Sequence, residues 1–171
     1  MIFLKSQLIN LQKIYLMNIK LIYISKNKSN NIESLVNNYE KKINHFINYQ
    51  SIGLKNKNQF SEKKLIQKSD SDLILKNINA DDMVILIDEN GKEYSTNEFS
   101  KFISNRIMDR TKNLIFIIGG AYGFSNELKE LFKMKISLSK LTFSHDMARL
   151  FFCEQLYRAL TIVNNIPYHN E

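Results

Sequence analysis

Two short runs constrain the fold more than anything else in the chain. Residues 83–87 (MVILI) and 114–118 (LIFII) are apolar at every position. A strand with one wet face alternates polar and apolar residues. A strand with no polar residue is covered on both faces, as in a parallel sheet layered by helices. A third run, 19–24 (IKLIYI), is rich in β-branched residues and also reads as a strand. Weaker strand signals lie near Ile52 and Ile136.

Between these runs the spacing turns helical. Ile32, Leu35, Val36, Tyr39, Ile43 and Phe46 recur at helical intervals across 31–47. Leu65, Ile66, Leu73 and Ile74 do so across 61–78. Ser95 or Thr96 can cap a helix bearing Phe99, Phe102, Ile103 and Ile107, with Glu98 placed for the reciprocal bond. A short helix is expected over 126–132 and a long one over 145–165. The strand at 83–87 is expected to end at Asp88, with Asn90-Gly91 as a turn. Residues 53–60 (GLKNKNQF) read as an irregular polar segment. Alternating strands and helices predict one α/β domain with a mostly parallel sheet flanked by helices.

Composition narrows the class. At 171 residues, 44% hydrophobic and 24% charged, the chain suits one globular domain. No apolar run approaches the roughly 18 residues of a membrane span. The one cysteine, Cys153, cannot make an internal disulfide. The net charge of +7 suits a nucleic-acid partner. Codon usage is an equal explanation, because Lys outnumbers Arg 20 to 4 and Asn, Ile and Lys make up 64 residues. Residues 1–16 lack the pattern of a cleavable signal peptide. They are expected to be an untranslated or disordered extension ahead of a domain over 17–171 that starts at a second methionine, Met17.

Three segments can carry chemistry. The run 114–118 leads straight into Gly119-Gly120-Ala121-Tyr122-Gly123, where glycines let a ligand approach the backbone. This is neither a dinucleotide fingerprint nor a phosphate-binding P-loop. Residues 136–144 then run polar and apolar without an obvious turn, which suits a ligand with a purine ring and a polar tail. On the last helix, Glu154, Arg158, Thr161 and Asn165 form a narrow polar stripe in an otherwise apolar surface. Such a helix is buried on more than one side, here against the sheet and a second subunit. Arg149 falls on the apolar side and needs an acidic residue or a substrate anion as partner. His145 lies one turn before it. Pro167 ends the helix and stiffens a tail holding Tyr168 and His169.

Four motifs in register, IIGGAYGF, ISLSKLTFSHDMAR, EQLYRA and the terminal PYHNE, resemble the ribosomal RNA large subunit methyltransferase H family. These are SPOUT-class enzymes that methylate N3 of a pseudouridine in 23S rRNA. The resemblance spans about residues 17–171. It implies a C-terminal trefoil knot, a homodimer, a cytoplasmic site of action on the assembled ribosome, and S-adenosyl-L-methionine as cofactor, with no metal and no membrane. By motif the cofactor contacts would be Ile87, Gly120, Ser139, Lys140, Leu141, Thr142, Phe143 and Ser144. The catalytic candidates it implies are His145, Arg149, Tyr168 and His169. Many relatives carry proline where Ala121 and Ser144 stand, and a basic residue where Asn170 stands. Two other readings share these features: a SPOUT enzyme acting on tRNA, and a ribosome-binding protein that kept the fold without catalysis.

Overall fold

The computed structural model describes residues 17–25, 30–57 and 60–169. The extension at 1–16 and the tail residues Asn170 and Glu171 lie outside the described residues. Elements follow in the order β1 (Asn18–Ile24), α1 (Asn30–Ile43), β2 (Asn48–Leu54), α2 (Lys63–Leu75) and β3 (Met83–Glu93). Then come α3 (Thr96–Met108), β4 (Asn113–Ile118), α4 (Asn126–Leu131), β5 (Lys135–Ser137) and α5 (His145–Val163). The expected alternation is therefore present. The segment 53–60 is corrected in part, because Gly53 and Leu54 finish β2.

The five strands form one parallel sheet in the order β2-β1-β4-β3-β5. The late strand β4 is inserted between β1 and β3. It is buried from Leu114 to Ile118, which accounts for its uninterrupted apolar sequence. Registers bring Tyr23 beside Ile118 and Ile118 beside Ile87, so β1, β4 and β3 end at one level.

Side chains alternate between two cores, as the strand period requires. On one face, Ile19, Leu21, Ile85 and Phe116 meet α1, α3 and α5 through Val36, Ile103 and Phe152. On the other, Ile22, Val84, Ile115 and Ile117 meet α2 and α4 through Ile74 and Leu128. Helix α5 lies packed against both α1 and α3. The cap predicted for α3 is formed: Ser95 Oγ accepts from Glu98 N at 3.3 Å, and Glu98 Oε2 accepts from Ser95 N at 2.8 Å.

Strand β3 does not end at Asp88. Its pairing with β5 shifts register between Ile87 and Lys92, then resumes to Glu93. The intervening residues 88–91 bulge from the sheet edge. Gly91 makes this possible, since a Cβ there would stand 2.6 Å from the Ile136 backbone. The bulge carries Asp88, Glu89 and Asn90 to the carboxyl edge of the sheet.

Candidate functional site

The helices that follow β1 and β3 pack on one face of the sheet, and the helix that follows β4 packs on the other. Chain direction therefore switches on both sides of β4. Ligand crevices in open α/β sheets form at such switch points, beyond the carboxyl ends of the strands. Each side of β4 has a cavity there.

The larger cavity, about 480 Å³, lies beyond β3 and β4. Its walls come from the bulge, the glycine turn and the segment after β5. Ile87, Gly120, Ser139, Leu141, Thr142, Phe143 and His145 line it. The structure thus brings together most of the residues singled out by motif. Lys140 is not in the lining, and its Nζ donates to the Glu89 carbonyl at 3.1 Å. Ser144 is not in this lining either, and its Oγ caps α5 by accepting from Met147 N at 3.4 Å.

Local hydrogen bonds fix the walls. Gly123 N donates to Gly120 O at 2.8 Å, and Gly123 adopts φ 69°, a left-handed conformation that favours glycine. Gln67 of α2 clamps this turn by donating to the Tyr122 and Phe124 carbonyls. A Cβ on Gly120 would stand 2.3 Å from Asp70 Oδ2, so glycine lets that carboxylate abut the turn. The segment after β5 is stapled by Ser139: Leu141 N donates to its Oγ at 3.0 Å, and Ser137 Oγ donates to its carbonyl at 2.9 Å. Thr142 Oγ1 donates to Glu89 Oε2 at 3.3 Å, closing the segment onto the bulge.

The rim is acidic. Burial works against the Asp88 charge, but Lys129 at 2.9 Å and the Asn90 N–H hold its carboxyl below the usual range. Asp88 is therefore ionised at neutral pH.

The four catalytic candidates are not together in one chain. His145 borders the cavity. Arg149 is buried, with Nη2 2.6 Å from Glu33 Oε2 and its guanidinium 4.5 Å from the Tyr23 ring centre. Its partner is thus an acidic residue. Burial opposes the Arg149 charge, yet the Glu33 bond and the nearby Tyr23 and Glu40 raise its pKa overall. Tyr168 and His169 fold back onto the second half of α5. His169 Nδ1 is 3.3 Å from Arg158 Nη1, and Arg158 pairs with Glu154 at 2.5 Å. The Tyr168 ring packs edge-on against Tyr157 at 4.8 Å, under the Arg158 guanidinium. Its hydroxyl lies between Tyr39 and Glu154, and the Tyr39 hydrogen bond, burial and the Glu154 charge push its pKa up to about 12. That phenol stays protonated at neutral pH and can donate a hydrogen bond, but it is no base. Arg158 stands thirteen residues beyond His145 on α5, about 20 Å at 1.5 Å per residue.

Sequence reasoning missed Asp70. It is 5% exposed and accepts from Asn56 Nδ2 at 2.8 Å. The signal was present, since Ile66, Asp70 and Ile74 share one helical stripe.

A family model described as "Predicted SPOUT methyltransferase" matches residues 17–169. Relatives named "Ribosomal RNA large subunit methyltransferase H" align along nearly their whole length. That of Christiangramia forsetii is 46% identical, covering 90% of this chain and 99% of the relative. The chain belongs to this family of SPOUT methyltransferases. The relative from Flavobacterium psychrophilum is 43% identical over 91% of this chain and 100% of its own. Among solved structures, a probable methylase family protein from Haemophilus influenzae aligns at TM-score 0.48 and 17% identity, covering 88% of this chain and 67% of that one. Among the described residues no helix is long and apolar enough to cross a membrane, and no cluster of His, Cys, Asp and Glu could hold a metal ion.

Removing this half-buried acid tests the role given to Arg149. Glu33→Ala leaves an unpaired buried guanidinium, which should destabilise the fold by about 3 kcal/mol in urea unfolding. Adding Arg149→Met should recover most of that loss. A Glu33→Ala protein as stable as the parent would show that the pair does not hold α5 to α1.

Proposed function

We propose that this chain uses S-adenosyl-L-methionine to methylate N3 of a pseudouridine in 23S rRNA, acting in the cytoplasm as a homodimer on the assembled ribosome. The observation that carries this reading is the larger cavity. Its 480 Å³ falls within the range of about 300–1,000 Å³ typical of small-molecule sites. Its lining suits the cofactor: Ile87, Ile118 and Leu138 offer apolar walls for a purine, and Asp88, Glu89, Lys63 and Lys129 offer charged groups for an ammonium and a carboxylate. The residues we assign to binding are Ile87, Gly120 and 139–144, with Lys140 and Ser144 acting by fixing the loop. We read residues 138–144 as the segment that closes the implied trefoil knot. The names of the relatives support the ribosomal RNA substrate.

When bound, this cofactor supplies a methyl group on a positively charged sulfur that leaves as a neutral thioether. For N3 to accept that methyl group, its proton would have to be taken up by a group of the protein. The chain's task is to hold the partners in line, exclude water and take that proton. His145 borders the cavity and is a candidate acceptor. His169 is the other, but in its own chain it sits about 20 Å away along α5. We therefore assign the tail to the cavity of a second copy, with Tyr168 donating a hydrogen bond and His169 accepting or orienting. Arg149 positions the first turn of α5, on which His145 stands, and touches no substrate.

Methyl transfer from labelled S-adenosyl-L-methionine to ribosomes lacking the modification tests the reaction. Mass spectrometry should find methylpseudouridine, formed mainly on intact ribosomes rather than separated subunits or naked rRNA. Cofactor binding without transfer would point to another RNA such as tRNA. Neither binding nor transfer would favour the non-catalytic reading.

The shared site has its own test. His169→Ala chains and Gly120→Val chains should each be inactive. Mixed and allowed to exchange, they should regain activity, up to about a quarter of the sites by statistical pairing. No recovery from verified mixed dimers would place the tail in its own chain's site.

A further inference from the structure

The second switch point, between β1 and β4, has a cavity that the reading above leaves unused. It measures about 260 Å³, roughly half the volume of its neighbour. Ser25 at the end of β1, Asn56 after β2, and Phe60, Ile66 and Asp70 of the α2 region line it. It meets the larger cavity at two residues, Ala121 and His145, which line both. A group held here therefore faces the larger cavity across the glycine turn.

The walls combine ring stacking surface with hydrogen-bonding groups of both kinds. Phe60 lines the cavity and is 43% exposed, so part of its ring surface is accessible. The Asn56 amide donates and the Asp70 carboxylate accepts. Asn56 is itself fixed, since it donates to Asp70 at 2.8 Å and accepts from Ser69 Oγ at 3.2 Å. Such a mixture fits the N1–H and C2 carbonyl edge of a pseudouridine, which leaves N3 clear of these groups to face the larger cavity. Stacking on an aromatic side chain is the usual way a protein holds an unpaired base.

The approach is cationic. Lys55, Lys57, Lys63, Lys64 and Lys68 are all exposed between the end of β2 and the middle of α2. Glu62 is the only acid from 55 to 68. Phosphates on either side of a base seated in the cavity would meet this edge.

We infer that this cavity is the target-base pocket: the uracil-type base, turned out of its strand, enters between Phe60, Asn56 and Asp70, and the 55–68 lysines hold the flanking phosphates. The inference rests on the RNA methyltransferase reading above and supplies its substrate side. The base lies on one side of the glycine turn and the methyl donor on the other, with Ala121 and His145 between the two cavities.

The test uses the full chain and ribosomes lacking the modification. Phe60→Ala and Asn56→Ala should each lower kcat/KM for ribosomes roughly tenfold or more. Their affinity for S-adenosylhomocysteine, measured by calorimetry, should stay within twofold of the parent. Lys55→Ala with Lys57→Ala should flatten the dependence of log K for ribosome binding on log salt by roughly 0.7 per lost phosphate contact. Unchanged turnover in both pocket variants would overturn the base pocket. So would a parallel fall in S-adenosylhomocysteine affinity, which would assign the cavity to the cofactor's tail. An unchanged salt slope would overturn the lysine edge. If the parent protein binds S-adenosylhomocysteine but methylates no ribosome, the underlying reading fails first and this inference falls with it.

Discussion

The position of β4 is the constraint on which the rest depends. A strand made late in the chain is placed between two made early, and it must be apolar on both faces to sit there. Because the helix after β4 packs on the face opposite those after β1 and β3, both edges of β4 become crevices. The in-register ends at Tyr23, Ile118 and Ile87 open these crevices at one level. Everything assigned to holding the methyl donor is built on that shared edge. The glycine turn leaves β4 there, the β3 bulge brings acids to it, and the segment after β5 closes over it.

Rigidity around the edge comes from small, local devices. Ser139 staples its own loop, Gln67 clamps the glycine turn, and Glu89 joins the loop to the bulge. Most of these bonds reach backbone groups, so the cavity is shaped more by main chain than by side-chain identity. The Arg149–Glu33 pair works at longer range. It ties the start of α5 to α1 and so fixes the helix that carries His145 at one end and the tail at the other.

Much of this was legible in the sequence for reasons that can be named. The runs at 83–87 and 114–118 announce a doubly covered sheet, and Ser95 with Glu98 announces the start of α3. What stayed hidden depends on tertiary partners. The order of parallel strands is not written in any one strand. Residues 88–91 look like a turn, and only pairing with β5 makes them a bulge within β3. Arg149 advertised a need for an anion, but its partner lies 116 positions away. Asp70 was visible as an acid on an apolar stripe, and its meaning appeared only when Gly120 was found against it. The catalytic motifs were recognisable together as a family pattern. Their separation within one chain, His145 at one end of α5 and His169 at the other, required the fold.

The central claim is that the crevice between β3 and β4 is where the methyl donor binds. A crystal structure of the protein with S-adenosylhomocysteine tests it most directly. The account predicts density for the ligand between the glycine turn, the 88–90 bulge and residues 138–143, with the purine against Ile87, Ile118 and Leu138. Ligand density in any other part of the molecule, with this crevice filled only by water, would contradict it.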